Sequence, residues 1–343
     1  MLDPHRNVLL LTTVFFRSHP EIDAFPHINH GIRTSSCQPF SSVTMVLLRS
    51  SAFALVLAGL VHAAAVKRQD ITSLSTSQIS SFAPFTHFAS TAYCNSSTTV
   101  NWSCGPNCQA NPDFVPTASG GDGDATQFWY VGFSPSQNNT VIVAHQGTDT
   151  SKLLPILTDL DLLLAPLDAS LFPGIPSSVE AHNGFADEQA RTASEILSAV
   201  QQTLSAHSTS SVTVVGHSLG AALALLDGVY LRLNLNATVD VRVIGYGMPR
   251  VGNQDFADWV DAHLGGQVTH INNREDRIPI LPPRLLGFHH ASGEVHITDS
   301  GTWESCPGQD NPSNECIVGD VPNIFESNTS DHKGPYDGIS MGC

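Results

Sequence analysis

One segment constrains the fold more than any other, because it must pass from strand to helix within five residues. Residues 212–215 read Val-Thr-Val-Val, residues 216–220 read Gly-His-Ser-Leu-Gly, and Ala-Ala-Leu-Ala-Leu-Leu comes next. β-Branched residues favour a buried strand, whereas Ala and Leu favour a helix. Gly216 and Gly220 remove side chains that would collide in so sharp a turn, which leaves the Ser218 hydroxyl at its apex. The segment predicts that Ser218 is a catalytic nucleophile; the alternative is an ordinary strand-to-helix connection with a surface serine.

The first 68 residues differ in character from the rest of the chain. From Met45 onward, an arginine precedes an apolar stretch and the small residues Ala63 to Ala65, a pattern typical of a secretory signal and shorter than a membrane span. Lys67-Arg68 resembles a dibasic processing site. We therefore expect a non-native or disordered leader over residues 1–44, a signal peptide over 45–65, a short pro-segment over 66–68 and one domain over 69–343.

The predicted mature chain is strongly acidic. Residues 1–68 hold six of the fifteen basic residues and three of the 31 acidic ones, which leaves nine basic against 28 acidic residues and a formal net charge of −19. This balance argues against nucleic acid and anionic membranes as partners. The remaining length suits one large α/β domain without a transmembrane segment, and we expect a monomer.

Six cysteines remain once Cys37 is set aside, an even number in a chain expected to be exported. Three disulfides among fifteen possible pairings are expected. A metal site at Cys104 and Cys108 is disfavoured because no second pair of ligands follows at suitable spacing. Five Asn-x-Ser/Thr sequons fit an extracellular surface; they begin at Asn95, Asn101, Asn138, Asn236 and Asn328.

The apolar pattern alternates between strand and helix. Residues 141–144 read as a buried strand, residues 187–207 as an amphipathic helix, and residues 239–246 and 268–272 as two further strands. Such alternation predicts an α/β fold with a mainly parallel central sheet flanked by helices, and it places reactive groups at the carboxyl ends of the strands.

A serine nucleophile needs a histidine to take its proton and an acid to orient that histidine, here in the chain order Ser, acid, His. Asp276 follows the strand at 268–272, and we expect it to be the acid. His332 lies in the turn-rich segment Asp-His-Lys-Gly-Pro-Tyr and is the expected base, whereas we expect His289 and His290 to be structural.

Acyl transfer also needs hydrogen-bond donors for the developing oxyanion. Leu219, next after the nucleophile, supplies one backbone N–H. Thr148, which follows Gly147 after the strand at 141–144, is the expected second donor; the alternative for this pair is an ordinary tight turn.

Taken together, these motifs resemble those of secreted fungal lipases of the class 3 type, a family that also holds fungal feruloyl esterases. The resemblance extends from about Phe88 to Cys343 and rests on Phe-Ala-Ser-Thr-Ala-Tyr-Cys at 88–94, Gln-Gly-Thr at 146–148, Ala-His-Asn-Gly-Phe at 181–185, Val-Val-Gly-His-Ser-Leu-Gly-Ala at 214–221, Gly-Met-Pro-Arg-Val-Gly-Asn at 247–253 and Leu-Pro-Pro at 281–283. It implies a single α/β-hydrolase-like domain, the triad Ser218, Asp276 and His332, and an oxyanion hole of Thr148 and Leu219. It also implies the disulfides Cys94–Cys343, Cys104–Cys108 and Cys306–Cys316.

Two features depart from the family pattern. Gln146 stands where the family usually has arginine, so any ion pair of that arginine is absent. Residues 149–168, which correspond to the lid of family lipases, are rich in leucine around Pro155. They form either a mobile apolar lid or part of the core.

The sequence thus predicts a secreted serine carboxylic ester hydrolase without cofactor or metal, acting on triacylglycerol or on mono- and diacylglycerol through an acyl-enzyme at Ser218. An esterase for feruloyl or other soluble esters is the alternative. A catalytically inactive lipase-like binding protein is disfavoured because every catalytic role is filled.

Overall fold

The computed structural model of the protein describes residues 70–148, 150–158 and 164–343. The predicted leader, signal peptide and pro-segment lie outside these residues. The strands are β1 Thr72–Ser73, β2 Val115–Gly120, β3 Trp129–Ser134, β4 Thr140–His145, β5 Leu164–Pro166, β6 Glu180–His182, β7 Ser211–His217, β8 Asp240–Tyr246, β9 Gly252–Asn253, β10 Val268–Asn273, β11 Phe288–His289, β12 Glu294–Ile297 and β13 Trp303–Cys306.

The helices are α1 Thr76–Ser80, α2 Ala83–Thr91, α3 Ser96–Thr99, α4 Pro106–Gln109, α5 Thr150–Thr158, α6 Asn183–His207, α7 Leu219–Asn234, α8 Gln254–His263 and α9 Ile317–Asp320. Three 3₁₀ helices come after β10, at Arg284–Leu286, Ile324–Glu326 and Thr329–Lys333. All these elements belong to one compact unit, Ala65–Cys343.

Within the residues that the structure describes, the main sheet has nine strands in the order β1-β13-β12-β10-β8-β7-β4-β3-β2. Its five central strands, β12 to β4 in this order, are parallel, and antiparallel strands extend the sheet at both edges. A small antiparallel sheet has the order β11-β9-β6-β5. The predicted α/β fold with a mainly parallel centre is confirmed, while the antiparallel edges were not foreseen.

Both faces of the central strands of the main sheet are buried, which explains why strands such as β4 are continuously apolar. Along β4, Val141 and Val143 belong to one core and Ile142 and Ala144 to another, as the two-residue repeat of a strand requires. The long helices α6 and α7 contribute to the first core, and α2 contributes to the second. Helix α7 is buried along nearly its whole length, so the element that begins beside Ser218 lies in the interior.

Among the described residues, three disulfides are formed: Cys94–Cys343, Cys104–Cys108 and Cys306–Cys316. These are the pairings that the family resemblance implies, and they are confirmed. The first joins the segment after α2 to the region that lies beyond His332.

Candidate active site

Ser218 lies at the sharp turn between β7 and α7, where its backbone has φ 61° and ψ −130°. A non-glycine residue rarely adopts this conformation. The turn is held because the Ser218 amide donates to the Tyr246 carbonyl at 2.9 Å. A Cβ on Gly216 would collide with the Gly220 oxygen, and one on Gly220 would collide with the His145 oxygen. The sequence can fold this way because it has glycine at both flanking positions, where a side chain would not fit.

Asp276 and His332 come together although 56 residues separate them. His332 Nδ1 lies 2.8 Å from Asp276 Oδ2, and both side chains are buried. Asp276 Oδ1 also accepts the Ile278 amide at 2.9 Å. A carboxylate beside Nδ1 fixes the tautomer in which Nδ1 carries the proton, so Nε2 of the neutral ring is free to accept one.

The atoms that would exchange this proton are Ser218 Oγ and His332 Nε2. Both are buried, and neither has a hydrogen-bond partner within the residues that the structure describes. Buried polar atoms are seldom left unpaired. Gly247, which follows β8 with φ 53°, lies against the acid–histidine pair: a Cβ there would be 2.9 Å from Asp276 Oδ2 and from His332 Cε1.

The expected oxyanion donors lie beside this arrangement. Leu219 is the first residue of α7, where backbone N–H groups are not used within the helix. Thr148 follows β4 and lines a cavity of about 260 Å³ together with Gly147, His217 and His332. A Cβ on Gly147 would be 3.1 Å from Ser218 Cβ, so this loop passes directly over the nucleophile.

Gln146, the residue that departs from the family pattern, is used structurally. Its side-chain Oε1 accepts the Phe128 amide at 2.8 Å, and its own amide donates to the Phe128 carbonyl at 2.8 Å. These two bonds hold the start of the loop that carries Thr148.

The leucine-rich segment is helical over α5, with Pro155 inside the helix. Leu153 and Leu157 are fully buried in the main core, and Leu154 is half-buried against it. Core packing therefore accounts for these leucines in this conformation. Residues 159–163 lie outside the described part of the chain, and a mobile lid stays a prediction.

A second cavity of about 460 Å³ is lined mostly by apolar side chains, among them Leu157, Leu281, Leu286 and Val321. Two side chains beside its lining residues are almost fully exposed, Leu285 at 95 % and Phe325 at 91 %. Leu285 belongs to the segment after Asp276 and Phe325 to the segment before His332.

The histidines that we expected to be structural are so placed. His290 Nε2 lies 2.7 Å from the Pro279 carbonyl, and burial lowers the pKa of His290 to about 3. His289 Nδ1 lies 3.4 Å from Asp310.

Among the described residues, one group could offer three metal ligands, Glu294, Cys306 and Cys316, but its two cysteines are joined in a disulfide.

Sequence reasoning assigned no role to the Arg250–Asp310 pair. Arg250 Nε lies 2.8 Å from Asp310 Oδ1, and Arg250 also donates to the carbonyls of Ile280 and Pro282. This buried guanidinium therefore holds the loop that comes after Asp276. The Pro-Arg-Val-Gly-Asn stretch is the signal that could have drawn attention to it.

Comparison with known proteins gives a consistent family. The sequence profile described as "Lipase (class 3)" matches residues 142–286. A secreted mono- and diacylglycerol lipase of Malassezia globosa is 33 % identical over 232 residues, 64 % of this chain and 74 % of that protein. Secreted mono- and diacylglycerol lipase 3 of Gibberella zeae is 30 % identical over 314 residues, 88 % of this chain and 94 % of that protein. The chain belongs to the class 3 lipase family.

Solved structures agree with this assignment. Lipase II from Rhizopus niveus is 28 % identical with a TM-score of 0.66, and the match covers 79 % of this chain and 99 % of that one. A triacylglycerol lipase whose catalytic centre is formed by a serine protease triad is 26 % identical with a TM-score of 0.66, and the match covers 79 % and 98 %. This class 3 lipase is a serine ester hydrolase with an α/β-hydrolase-like fold. It is secreted, as its relatives are, and the helices within the described residues include no candidate membrane span.

Proposed function

We propose that this class 3 lipase hydrolyses mono- and diacylglycerols at an oil–water interface, as a monomer, through an acyl-enzyme on Ser218. The observation that carries the proposal is the buried pair of Asp276 Oδ2 and His332 Nδ1 at 2.8 Å, with Ser218 Oγ and His332 Nε2 both unpaired within the described residues. The fungal relatives that are named mono- and diacylglycerol lipases support the substrate class.

In the first half-reaction, Ser218 Oγ attacks the ester carbonyl carbon while His332 Nε2 takes the hydroxyl proton. Asp276 remains ionised and stabilises the imidazolium that forms. The backbone N–H of Leu219 and the donors of Thr148 bind the oxyanion, and the N-terminus of α7 adds a favourable dipole. His332 then protonates the departing glycerol oxygen, which leaves an acyl group on Ser218.

In the second half-reaction, water replaces the glycerol. His332 accepts a proton from this water as it attacks the acyl carbonyl, and the same donors stabilise the second oxyanion. His332 returns the proton to Ser218 Oγ as the fatty acid leaves. No cofactor or metal has a role in this scheme.

The apolar cavity and the two exposed side chains support a lipid substrate. The cavity of about 460 Å³ offers room for part of an acyl chain. Leu285 and Phe325 are both more than nine-tenths exposed, and transfer of each side chain from water to an apolar phase would be favourable. Because they lie on the segments that carry Asp276 and His332, contact with the oil surface would bring the site to its substrate.

The test uses protein expressed from Met45, assayed on emulsified mono-, di- and triacylglycerol and on a soluble feruloyl ester. We expect activity on the first two that disappears in Ser218→Ala and is retained in Ser205→Ala, an exposed serine on α6. Preference for triacylglycerol would mean that triacylglycerol is the main substrate. Activity confined to the soluble ester would mean that the enzyme is an esterase and not a lipase. Unchanged activity in Ser218→Ala would reject the mechanism.

A further inference from the structure

The main core contains a carboxyl group that the proposed mechanism does not use. Asp227 lies on α7, nine residues after Ser218, and is fully buried. Its Oδ2 is 2.8 Å from His145 Nε2, and its Oδ1 accepts a hydrogen bond from Gln189 Nε2 at 2.7 Å. Both partners are buried as well, with 2 % and 1 % of their surface exposed.

A buried polar cluster of this kind is not expected to stabilise the core more than apolar side chains of similar size would. Burying a carboxylate costs more free energy than burying an apolar side chain, and a well-packed apolar replacement is often equally stable or more stable. The neighbours of Asp227 along α7 are apolar, Leu225, Leu226 and Val229 among them. The cluster therefore calls for a benefit other than stability.

The three residues join three elements around the nucleophile. His145 is the last residue of β4, Gln189 lies on α6 and Asp227 lies on α7. Hydrogen bonds to a shared carboxylate are directional and charge-assisted, so they define the distance between these elements more sharply than apolar contacts do.

The chain just beyond His145 makes this distance important. The next three residues are Gln146, Gly147 and Thr148, which carry the oxyanion donor of the proposed mechanism. The first turn of α7 rests on the His145 backbone, since a Cβ on Gly220 would collide with the His145 oxygen. A small displacement of β4 along α7 would therefore move Thr148 relative to Ser218 Oγ.

We propose that His145, Asp227 and Gln189 form a positioning network that holds the oxyanion loop, residues 146–148, at its working distance from Ser218. The network touches neither substrate nor reacting atoms and acts through the ends of β4 and α7. It rests on the proposed function, because the oxyanion loop has this importance only if Ser218 is acylated. It assigns a role to three residues outside the triad and the oxyanion hole.

The main variant is His145→Leu/Asp227→Leu, which removes Asp227 together with one of its two partners and leaves Gln189 without its acceptor. We expect kcat on a soluble p-nitrophenyl ester to fall at least about tenfold while KM changes less than about twofold. The melting temperature should fall, because buried Gln189 loses its acceptor, but the protein should stay folded at the assay temperature. The rate at which a soluble alkyl phosphonate labels Ser218 should fall in parallel, because phosphonylation uses the same oxyanion donors.

Two further variants distinguish the loss of these hydrogen bonds from a general effect of changing a buried carboxyl group. Asp227→Asn keeps the shape and an acceptor for His145, so kcat should return to within about threefold of the wild-type value. Glu294→Gln changes a buried carboxyl group of β12, on another part of the main sheet, and its kcat should equal that of the wild type. If the double variant does not fold, Gln189→Leu serves in its place, with an expected loss of kcat of about threefold and no change in KM.

An unchanged kcat in the folded double variant, or in Gln189→Leu where it serves in place of the double variant, would overturn the proposal. The same holds if kcat falls equally in Glu294→Gln, or if the loss only follows the fraction of unfolded protein. Phosphonylation separates this result from failure of the proposed function. If the wild type is labelled at Ser218 but cleaves no acylglycerol, the proposed substrate is wrong, and the variants still test the positioning network. If the wild type is neither labelled nor active, the proposed function and the positioning network are both overturned.

Discussion

His217 Nε2 donates a hydrogen bond to the backbone oxygen of His332, 2.7 Å away. Because a carbonyl oxygen can only accept, this contact assigns the proton of the neutral ring to Nε2 and leaves Nδ1 as an acceptor, which lies 2.6 Å from the Tyr93 hydroxyl. Burial, and secondarily the nearby His332, hold the pKa of His217 well below its usual range. The residue before the nucleophile thus bonds directly to the backbone of the proposed base.

Replacing His217 with Phe should therefore misplace His332. We expect kcat to fall about 10- to 100-fold, since small displacements of a catalytic group are that costly. We also expect a loss of about 1–3 kcal/mol in the free energy of unfolding, because a buried carbonyl loses one of its donors. Steady-state kinetics on a soluble ester and urea unfolding measure the two effects.

Tyr93→Phe is the matched control for this prediction. It removes the hydroxyl at Nδ1 but leaves the bond from Nε2 to His332 intact, so its loss of kcat should be the smaller one. Equal losses in the two variants would mean that the bond to His332 is not the important contact.

Glu294 should make the stability depend on pH. Burial raises the pKa of Glu294 to about 7 in the folded protein, against about 4.3 for an exposed glutamate. Below about pH 4.3, both the folded and the unfolded state carry the proton. As the pH rises from there to about 7, the unfolded state loses the proton first, so this contribution to stability is lost as the pH rises, up to about 4 kcal/mol.

Glu294→Gln tests this prediction, because it keeps an oxygen that can accept the Ile317 amide, which Glu294 Oε1 now accepts at 2.7 Å. Unfolding free energies measured at intervals from about pH 4.5 to about pH 7.5 should show the variant gaining stability relative to the wild type as the pH rises. The exposed Glu315→Gln should show no such trend. Parallel curves for the wild type and Glu294→Gln would contradict the prediction.

If residues 149–168 act as a lid, a polar substitution on α5 should lower the hydrolysis of emulsified substrates more than the hydrolysis of soluble ones. Leu154 is the suitable position, because it is half-buried, whereas Leu153 is fully buried and its truncation would destabilise the fold by about 2–5 kcal/mol. We expect Leu154→Ser to lower hydrolysis of emulsified diacylglycerol several-fold more than hydrolysis of a soluble short-chain ester. Equal losses on both substrates would mean that α5 is a fixed part of the core.

The Cys94–Cys343 disulfide should support both stability and activity. It spans 249 residues, and a bond that closes so long a loop restricts the unfolded chain strongly, typically by about 2–5 kcal/mol. The segment that it anchors includes Met341 and Gly342, which line the same cavity as His332. We expect Cys94→Ser/Cys343→Ser to unfold at a lower temperature and to lose kcat as well.

Cys104→Ser/Cys108→Ser is the control, since this bond spans only four residues. Its effect on kcat should be small. A double variant at Cys94 and Cys343 that melts earlier but keeps the wild-type kcat would show that the bond stabilises the fold without positioning the site.

The sequence alone determined the fold class, the strand-to-helix turn at Ser218 and the order of the candidate triad along the chain. Strand and helix patterns are local, and the glycines at 216 and 220 are needed by the turn itself. The family resemblance added the disulfide pairings, which no spacing argument could choose among fifteen alternatives.

Only the tertiary structure decided which distant groups meet. The bond from His217 to His332, the contact of Gly247 with the acid–histidine pair and the core cluster at Asp227 join segments that are far apart in sequence. It also placed Leu153 and Leu157 in the core, where sequence allowed either core or lid. The physical reason is that periodicity reports which face of an element is apolar, whereas the partners of a polar side chain depend on how separate elements pack.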